Sequence, residues 1–129
     1  MLFSDKHIVE EFQNILLTTL KQFECSSHIY VFMPDHCHFL LQGNMEESDS
    51  RKAIINFKQR TGYWLSKNSP EFQWQKDFYD HILRSDESLN KHIKYILDNP
   101  NRKELCKNWK EYPFKGSTIY DLNSWGGYY

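Results

Sequence analysis

Apolar and polar positions along the chain follow two different periods, separated by short turn signals. Over residues 6–23, apolar side chains recur every three or four positions, which predicts an amphipathic helix. Residues 28–33 and 36–42 are short and rich in aromatic and β-branched residues, with a Pro-Asp turn between them, so they predict a hairpin of two strands. The predicted core stripe of the helix is Ile8, Phe12, Ile15, Leu16, Leu20 and Phe23.

The second half of the chain continues with a helix, a strand and a helix. Residues 47–67 predict the first of these helices, and residues 72–84 predict a long strand. Ser85 is expected to cap the last helix, which should end at Asn99-Pro100, because the residue before a proline resists helical geometry. The predicted core of the two helices is Ile54, Phe57, Trp64 and Leu65, then Leu89, Ile93, Ile96 and Leu97.

This order of elements predicts an α+β fold, with the helices on one face of an antiparallel sheet. A chain of 129 residues fits one domain, and we assign residues 1–129 to it, with an irregular tail over residues 113–129. No run approaches the roughly 20 apolar residues that span a bilayer, and no basic-then-apolar leader is visible. The three cysteines, Cys25, Cys37 and Cys106, show no CxxC spacing, so we expect no disulfide framework and a cytoplasmic location.

Charge is distributed unevenly, although the net charge is only −1. Residues 1–50 hold two Lys or Arg and eight Asp or Glu, whereas residues 51–129 hold fourteen and nine. A positive half of this kind can follow a phosphate backbone, but an uneven solvated surface explains the charges equally well.

Two histidines open the second predicted strand. Because side chains alternate along a strand, His36 and His38 share one face, while Cys37 lies on the apolar face that should pack under the helices. Two imidazoles at this spacing can converge on one metal ion, although an isolated pair of this kind is usually two surface or hydrogen-bonded histidines. Cys37 points away from a zinc site, and a histidine-triad hydrolase needs a third alternating histidine where Leu40 stands.

The last predicted helix places Tyr95 and Asn99 one turn apart on a face away from its apolar stripe, and His92 lies near that face. A hydroxyl one turn before an amide oxygen can sit beside a metal ligand. The same two residues are also compatible with a half-exposed packing tyrosine and a helix C-cap.

Three motifs taken together resemble a known family. FMPDHCHFLL (residues 32–41), WQKDFYDHILR (74–84) and YILDNPNR (95–102) are similar in order and spacing to the REP-associated tyrosine transposases, which are single-tyrosine HUH transposases. The resemblance covers most of the chain, and Cys37 fills the middle position of the HUH motif. It implies a ferredoxin-like fold with the order βαββαβ.

The resemblance also implies the roles of the site residues. Tyr95 would be the nucleophile that forms a 5′-phosphotyrosine, and His36, His38 and Asn99 would hold a divalent metal, Mg²⁺ or Mn²⁺. A tyrosine hydroxyl is a weak nucleophile at neutral pH, so the reaction needs a polarised phosphate. No general base is evident, and the possible accessory residues are His92 and His81.

Single-stranded, hairpin-forming DNA of the REP type is the partner that the resemblance implies, bound by a monomer or a homodimer near the nucleoid. Positive grooves and aromatic side chains hold such strands. The residues expected to supply the groove are Lys52, Lys58, Arg60, Lys67 and Lys76.

The chain departs from the family at its start. The family's first strand lies in the middle of the sheet, whereas this sequence passes from Met1-Leu2-Phe3 almost directly into a helix. Three explanations remain open: a miscalled start, a decayed gene, or another segment such as residues 117–120 in the strand's place. A partner chain could also supply the strand. The alternative function is therefore a catalytically inactive remnant or a domesticated DNA-binding domain.

Overall fold

The computed structural model describes residues 5–74, 79–84 and 89–122, of which residues 79–84, 89, 90 and 92 are described by their backbone. Within these ranges the α+β class is confirmed. The elements are α1 (Lys6–Gln22), β1 (Cys25–Met33), β2 (His36–Gly43), α2 (Ser50–Asn68), β3 (Tyr79–Arg84), α3 (Leu89–Arg102), a 3₁₀ turn (Trp109–Glu111) and β4 (Lys115–Gly116).

Each of the first two helices begins at an aspartate that satisfies free backbone N–H groups. The Asp5 carboxylate accepts from the backbone N–H of His7 at 2.9 Å, and α1 begins at the next residue after this cap. The Asp49 carboxylate accepts from the backbone N–H of Lys52 at 3.1 Å, so α2 begins at Ser50 rather than at residue 47. No described helix has a stretch that is both long and apolar enough to cross a membrane.

The strands form one mixed sheet in the order β3-β2-β1-β4. Strands β2 and β4 both run antiparallel to β1, as expected, while β3 runs parallel to β2. The predicted strand over residues 72–84 is confirmed over residues 79–84, while residues 72 and 73 are not in a strand and Trp74 forms only an isolated bridge. Residues 75–78 lie outside the described part. Within the described residues, α1 is the first element, and β3 occupies the place beside β2.

The tail contributes one short strand, β4, to the sheet and has no other regular structure over residues 113–122, so the prediction of an irregular tail is corrected at residues 115–116 alone. Strand β4 pairs Gly116 with Tyr30 at the outer edge of β1. The backbone N–H of Thr118 then donates to the carbonyl of Ser27 at 3.0 Å, and the Thr118 hydroxyl accepts from the Ser27 N–H at 2.8 Å. Residues 117–120 therefore follow the edge of β1 and do not fill a place beside β2.

One face of the sheet packs against α1 and α2, as the apolar periodicity predicts. Cys37, Phe39 and Leu41 of β2 are buried on this face. Phe12 and Phe57, one from each helix, meet edge to face with ring centroids 6.0 Å apart. The helical residues buried here are Ile8, Val9, Phe12, Leu16, Leu20, Ala53, Ile54, Phe57 and Leu65, while Ile15, Phe23 and Trp64 are partly buried.

The opposite face packs against α3, so the expectation of helices on a single face holds for α1 and α2 alone. Leu40 of β2 contributes to this second cluster, together with Ile29, Val31 and Met33 of β1. From α3 it receives Ile93, Ile96 and Leu97, all three of which are buried. Alternation along β2 places His36 and His38 on the same side as Leu40. The face that carries the histidines is therefore the face that α3 covers.

Helix α3 runs through Pro100 to Arg102, which corrects the expected end at Asn99-Pro100. A proline lacks one N–H donor and crowds the preceding turn, but the last turn of a helix has few hydrogen bonds left to lose. A Schellman motif then closes the helix: the Leu105 N–H donates to the Pro100 carbonyl at 2.8 Å, and the Glu104 N–H donates to the Asn101 carbonyl at 2.9 Å.

Glu104 closes this motif with φ 60°, a left-handed backbone that costs an L-residue energy and glycine none. We expect Glu104→Gly to raise the free energy of unfolding by about 0.5–1 kcal/mol, because the relief of strain exceeds the added freedom of the unfolded chain. Urea denaturation measures the change. Asn101→Gly, a helical position in the same turn, should lower stability instead; equal effects at both positions would contradict the assignment.

Candidate active site

The two histidines of β2 lie side by side and face each other, as strand alternation predicts. The Nε2 atoms of His36 and His38 are 3.0 Å apart, and the two rings cross at a steep angle with centroids 4.7 Å apart. Both side chains are buried, with 6% and 5% of their surfaces exposed. A polar pair this deep in the protein needs partners that satisfy its nitrogen atoms.

Helix α3 supplies one such partner. The side-chain amide of Asn99 donates from Nδ2 to His38 Nε2 at 2.7 Å, and Asn99 is itself only 6% exposed. His36, His38 and Asn99 are the three metal ligands that the family resemblance implies. They meet at one point in the fold, although Asn99 follows His38 by 61 positions in the sequence.

Asp35 fixes the proton position of His36. The His36 Nδ1–H donates to the Asp35 carboxylate at 2.7 Å, so the lone pair of the neutral ring is on Nε2, the atom that faces His38. Sequence reasoning missed this residue by assigning it only to the turn. A carboxylate directly before the first histidine was the available signal.

The donor set fits a divalent cation. The Nε2 atoms of His36 and His38 are 3.0 Å apart, and the Asn99 amide lies 2.7 Å from the second, so three polar groups face one point that could hold a shared proton or a cation. Rotation of the Asn99 amide by half a turn about its last side-chain bond would direct its oxygen, in place of Nδ2, at this point. Two imidazole nitrogens and an amide oxygen suit Mn²⁺ better than Mg²⁺. Three His, Cys, Asp or Glu residues do not cluster anywhere in the described ranges, and the third polar group beside the two histidines is the Asn99 amide.

Asp35 offers a test that leaves the three candidate ligands in place. We expect Asp35→Asn to lower the affinity for Mn²⁺ by about 10–100-fold, the usual effect of losing a carboxylate behind a ligating histidine. Titration of Mn²⁺ followed by electron paramagnetic resonance measures the affinity. Asp49→Asn is the matched control, since asparagine caps α2 as well as aspartate does. Unchanged affinity in Asp35→Asn would remove Asp35 from the site.

Tyr95 lies on α3 one turn before Asn99, and 54% of its surface is exposed. Its hydroxyl makes no hydrogen bond to the described residues. The guanidinium of Arg102 lies over its ring, with Cζ 4.1 Å from the centroid. Tyr95 is therefore an accessible phenol on the helix that also carries the buried Asn99.

The two possible accessory histidines lie near these residues along the backbone. His81 of β3 pairs in register with His38, and His92 lies in α3 three positions before Tyr95. Their side chains lie outside the described part of the structure, so their accessory role stays a prediction.

Four of the five predicted groove residues lie on α2, across the sheet from the histidines. Arg60 bonds to α1, donating to the Thr19 hydroxyl at 3.0 Å and to the Gln22 side-chain oxygen at 2.6 Å. Lys58 lies over the ring of Trp74 at 5.4 Å, and Lys67 over that of Tyr63 at 5.5 Å. Lys52 is exposed near the start of α2. Lys76 lies outside the described residues.

Comparison with known sequences identifies the family of the chain. The family described as transposase IS200-like matches residues 1–99, and the chain belongs to that family. The matched residues include both histidines, Tyr95 and Asn99.

Among individual proteins, the chain is similar to one from Haemophilus influenzae that is assigned as a REP-associated tyrosine transposase. The two are 26% identical over 137 residues, which cover 92% of this chain and 77% of the relative. A shorter stretch of 48 residues is 38% identical to an uncharacterized protein of the same organism, covering 36% of this chain and 27% of that protein. No solved structure matches the chain.

Proposed function

We propose that this transposase cuts and rejoins single-stranded DNA, with Tyr95 as nucleophile and His36, His38 and Asn99 as ligands of a divalent metal ion. The observation that carries the proposal is that His36 Nε2 and the Asn99 amide both lie within 3.0 Å of His38 Nε2, and that Asn99 belongs to the helix that exposes Tyr95. Burial keeps the two imidazoles and the amide in fixed positions, while exposure leaves the Tyr95 phenol accessible to a DNA strand. DNA as the partner follows from the transposase family.

The proposed step exchanges one phosphoester bond for another. The phenolic oxygen of Tyr95 forms a bond to the phosphorus of a phosphodiester, and the bond from phosphorus to the 3′ oxygen breaks. The phenol loses its proton, the leaving 3′ oxygen gains one, and the 5′ end remains attached to the protein. Attack by the 3′-hydroxyl of a second strand on this phosphotyrosine reverses the exchange and rejoins DNA. Neither step needs an external energy source, because the phosphoester bond is conserved.

The chain's own residues divide this chemistry among them. A bound divalent ion supplies Lewis acidity at the phosphoryl oxygens. Asp35 keeps the lone pair of His36 directed at the ligand point, and Asn99 joins the helix of the nucleophile to the strand of the histidines. Holding a nucleophile and an electrophile in such a frame lowers the entropic part of the barrier. The accessory proton acceptor remains one of His81, His92 or water.

Hairpin-forming DNA of the REP type is the proposed substrate, which the name of the Haemophilus influenzae relative supports. Helix α2 carries five Lys or Arg residues and no acid, so it offers a positive surface to phosphates. Tyr63 on that helix is 67% exposed beside Lys67, an arrangement suited to stacking on an unpaired base. Arg60 is held by α1, so we expect it to contribute less than Lys52 or Lys67.

A covalent adduct tests the proposal directly. The protein is incubated with Mn²⁺ and labelled single-stranded oligonucleotides that carry a hairpin with unpaired flanks, and the products are resolved on a denaturing gel. We expect a nicked strand and a protein–DNA band, whose modified peptide contains Tyr95 by mass spectrometry. Salt-sensitive binding with neither a nick nor an adduct would contradict the proposal and favour the non-catalytic DNA-binding alternative.

A further inference from the structure

The last turn of α3 places an exposed arginine on the face that carries the nucleophile. Arg102 follows Tyr95 by seven positions and Asn99 by three, spacings that align side chains on one side of a helix. It reaches this position because α3 continues through Pro100. Had the helix ended at the proline, Arg102 would lie in a loop with no fixed relation to either residue.

Arg102 touches both Tyr95 and Asn99. Its Nη2 donates to the Tyr95 carbonyl at 2.6 Å and to the Asn99 side-chain oxygen at 3.3 Å. Its planar guanidinium also stacks on the Tyr95 ring, with Cζ 4.1 Å from the centroid. An arginine that only capped the helix end would need the carbonyl contact alone. Capping the helix does not require the stacking on the ring or the contact with the Asn99 amide.

These contacts restrain the two groups whose relative position the chemistry requires. The Tyr95 ring, exposed over half its surface, would otherwise turn freely about its side-chain bonds, and ordering it costs entropy. The carbonyl bond anchors the guanidinium, and the guanidinium then supports the ring. The bond to the Asn99 oxygen joins the guanidinium to the amide, whose nitrogen faces His38 in this structure. With the amide oxygen turned to a metal ion, this bond would be lost, while the stack on Tyr95 would remain.

We propose that Arg102 is a positioning residue of the active site, which orients the Tyr95 phenol and joins it to the candidate metal ligand Asn99. The inference rests on the proposed function for its effect on cleavage, while the restraint on Tyr95 exists without DNA. Lysine cannot replace it, because an ammonium group lacks the planar surface that stacks on the ring.

The restraint is tested first without DNA. Protein labelled with ¹³C in its tyrosine rings gives a Tyr95 signal, assigned by its loss in Tyr95→Phe. We expect Arg102→Ala and Arg102→Lys both to shift this signal and to leave Mn²⁺ affinity unchanged. Lys103→Ala, an exposed neighbouring charge, should leave the signal in place. A Tyr95 signal unmoved in Arg102→Ala would overturn the inference whether or not the protein cleaves DNA.

Cleavage supplies the second measurement. We expect Arg102→Ala to lower the single-turnover rate constant by about 100-fold, the scale expected for a misplaced reacting group, while oligonucleotide affinity changes far less. Arg102→Lys should not restore the rate. A wild-type rate in Arg102→Ala, or full rescue by lysine, would overturn the inference while leaving the proposed function intact. Absence of cleavage by the wild-type protein would instead reject the proposed function, and the ring signal would then decide the role of Arg102.

Discussion

Tyr95→Phe is expected to abolish the covalent protein–DNA adduct and to lower strand cleavage by on the order of 10⁴-fold or more, because the atom that would bond to phosphorus is removed. The fold should be unaffected: the Tyr95 side chain is 54% exposed, and its hydroxyl has no hydrogen bond to the described residues. The ring remains, so the stacking with Arg102 remains as well. The measurement is a denaturing gel of labelled hairpin oligonucleotide incubated with Mn²⁺.

Tyr63→Phe is the matched control for this substitution. Tyr63 is the more exposed of the two residues, at 67%, and lies on α2 across the sheet from the histidines. Its phenylalanine variant keeps a ring that can stack on bases, so cleavage should continue at the wild-type rate. Undiminished nicking in Tyr95→Phe would refute the nucleophile assignment, and an adduct lost in both variants would point to a general requirement for tyrosine hydroxyls in DNA binding.

Much of the candidate site could be predicted from periodicity alone. Strand alternation placed His36 and His38 on one face, and helix spacing placed Tyr95 and Asn99 one turn apart; both statements are confirmed by the structure. Local periods predict which side chains share a face, because backbone geometry repeats every two or 3.6 residues. They do not predict which two faces meet, and the Asn99–His38 contact depends on that choice.

The layers of the fold likewise separate into one that local periodicity predicts and one that it does not. The apolar face of β2 under α1 and α2 was predictable, since Cys37, Phe39 and Leu41 are apolar residues at alternate positions of the strand. The second core under α3 was not. The residues that build it, such as Leu40 and Ile93, have no sequence feature that assigns them to a separate layer. When helices cover both faces of a sheet, the face on which the third helix packs is decided by tertiary contacts.

Single side chains account for the remaining differences. Asp35 looked like a turn residue and Arg102 like a residue beyond the helix, because turn propensity and the Pro100 break dominate the local reading. Arg60 looked like a groove cation, but its bonds to Thr19 and Gln22 commit it to the contact between α1 and α2. The partners of Arg60 and Arg102 lie in another element or another turn, which no local pattern encodes. Asp35 bonds to the next residue, His36, and its role depends on the site to which His36 belongs.

His38→Ala is expected to have the second large effect, because His38 Nε2 is the atom that both His36 and Asn99 approach, at 3.0 and 2.7 Å. Without the His38 imidazole, the two remaining groups, His36 and Asn99, no longer converge on one point. Mn²⁺ affinity should fall by more than the roughly 10–100-fold that loss of a supporting carboxylate costs, and adduct formation should disappear with it. Titration followed by electron paramagnetic resonance measures the affinity, and the denaturing gel measures the adduct.

Two further variants separate loss of a ligand from loss of the fold. His7→Ala removes an exposed histidine from α1 and should change neither metal affinity nor cleavage. His38→Gln keeps most of the buried volume, so a melting curve near that of the wild type, combined with weak Mn²⁺ binding, assigns the effect to the missing imidazole. Wild-type Mn²⁺ affinity in His38→Gln and His38→Ala alike would show that the ion binds elsewhere. The buried pair would then be a hydrogen-bonded link between β2 and α3 and not a metal centre.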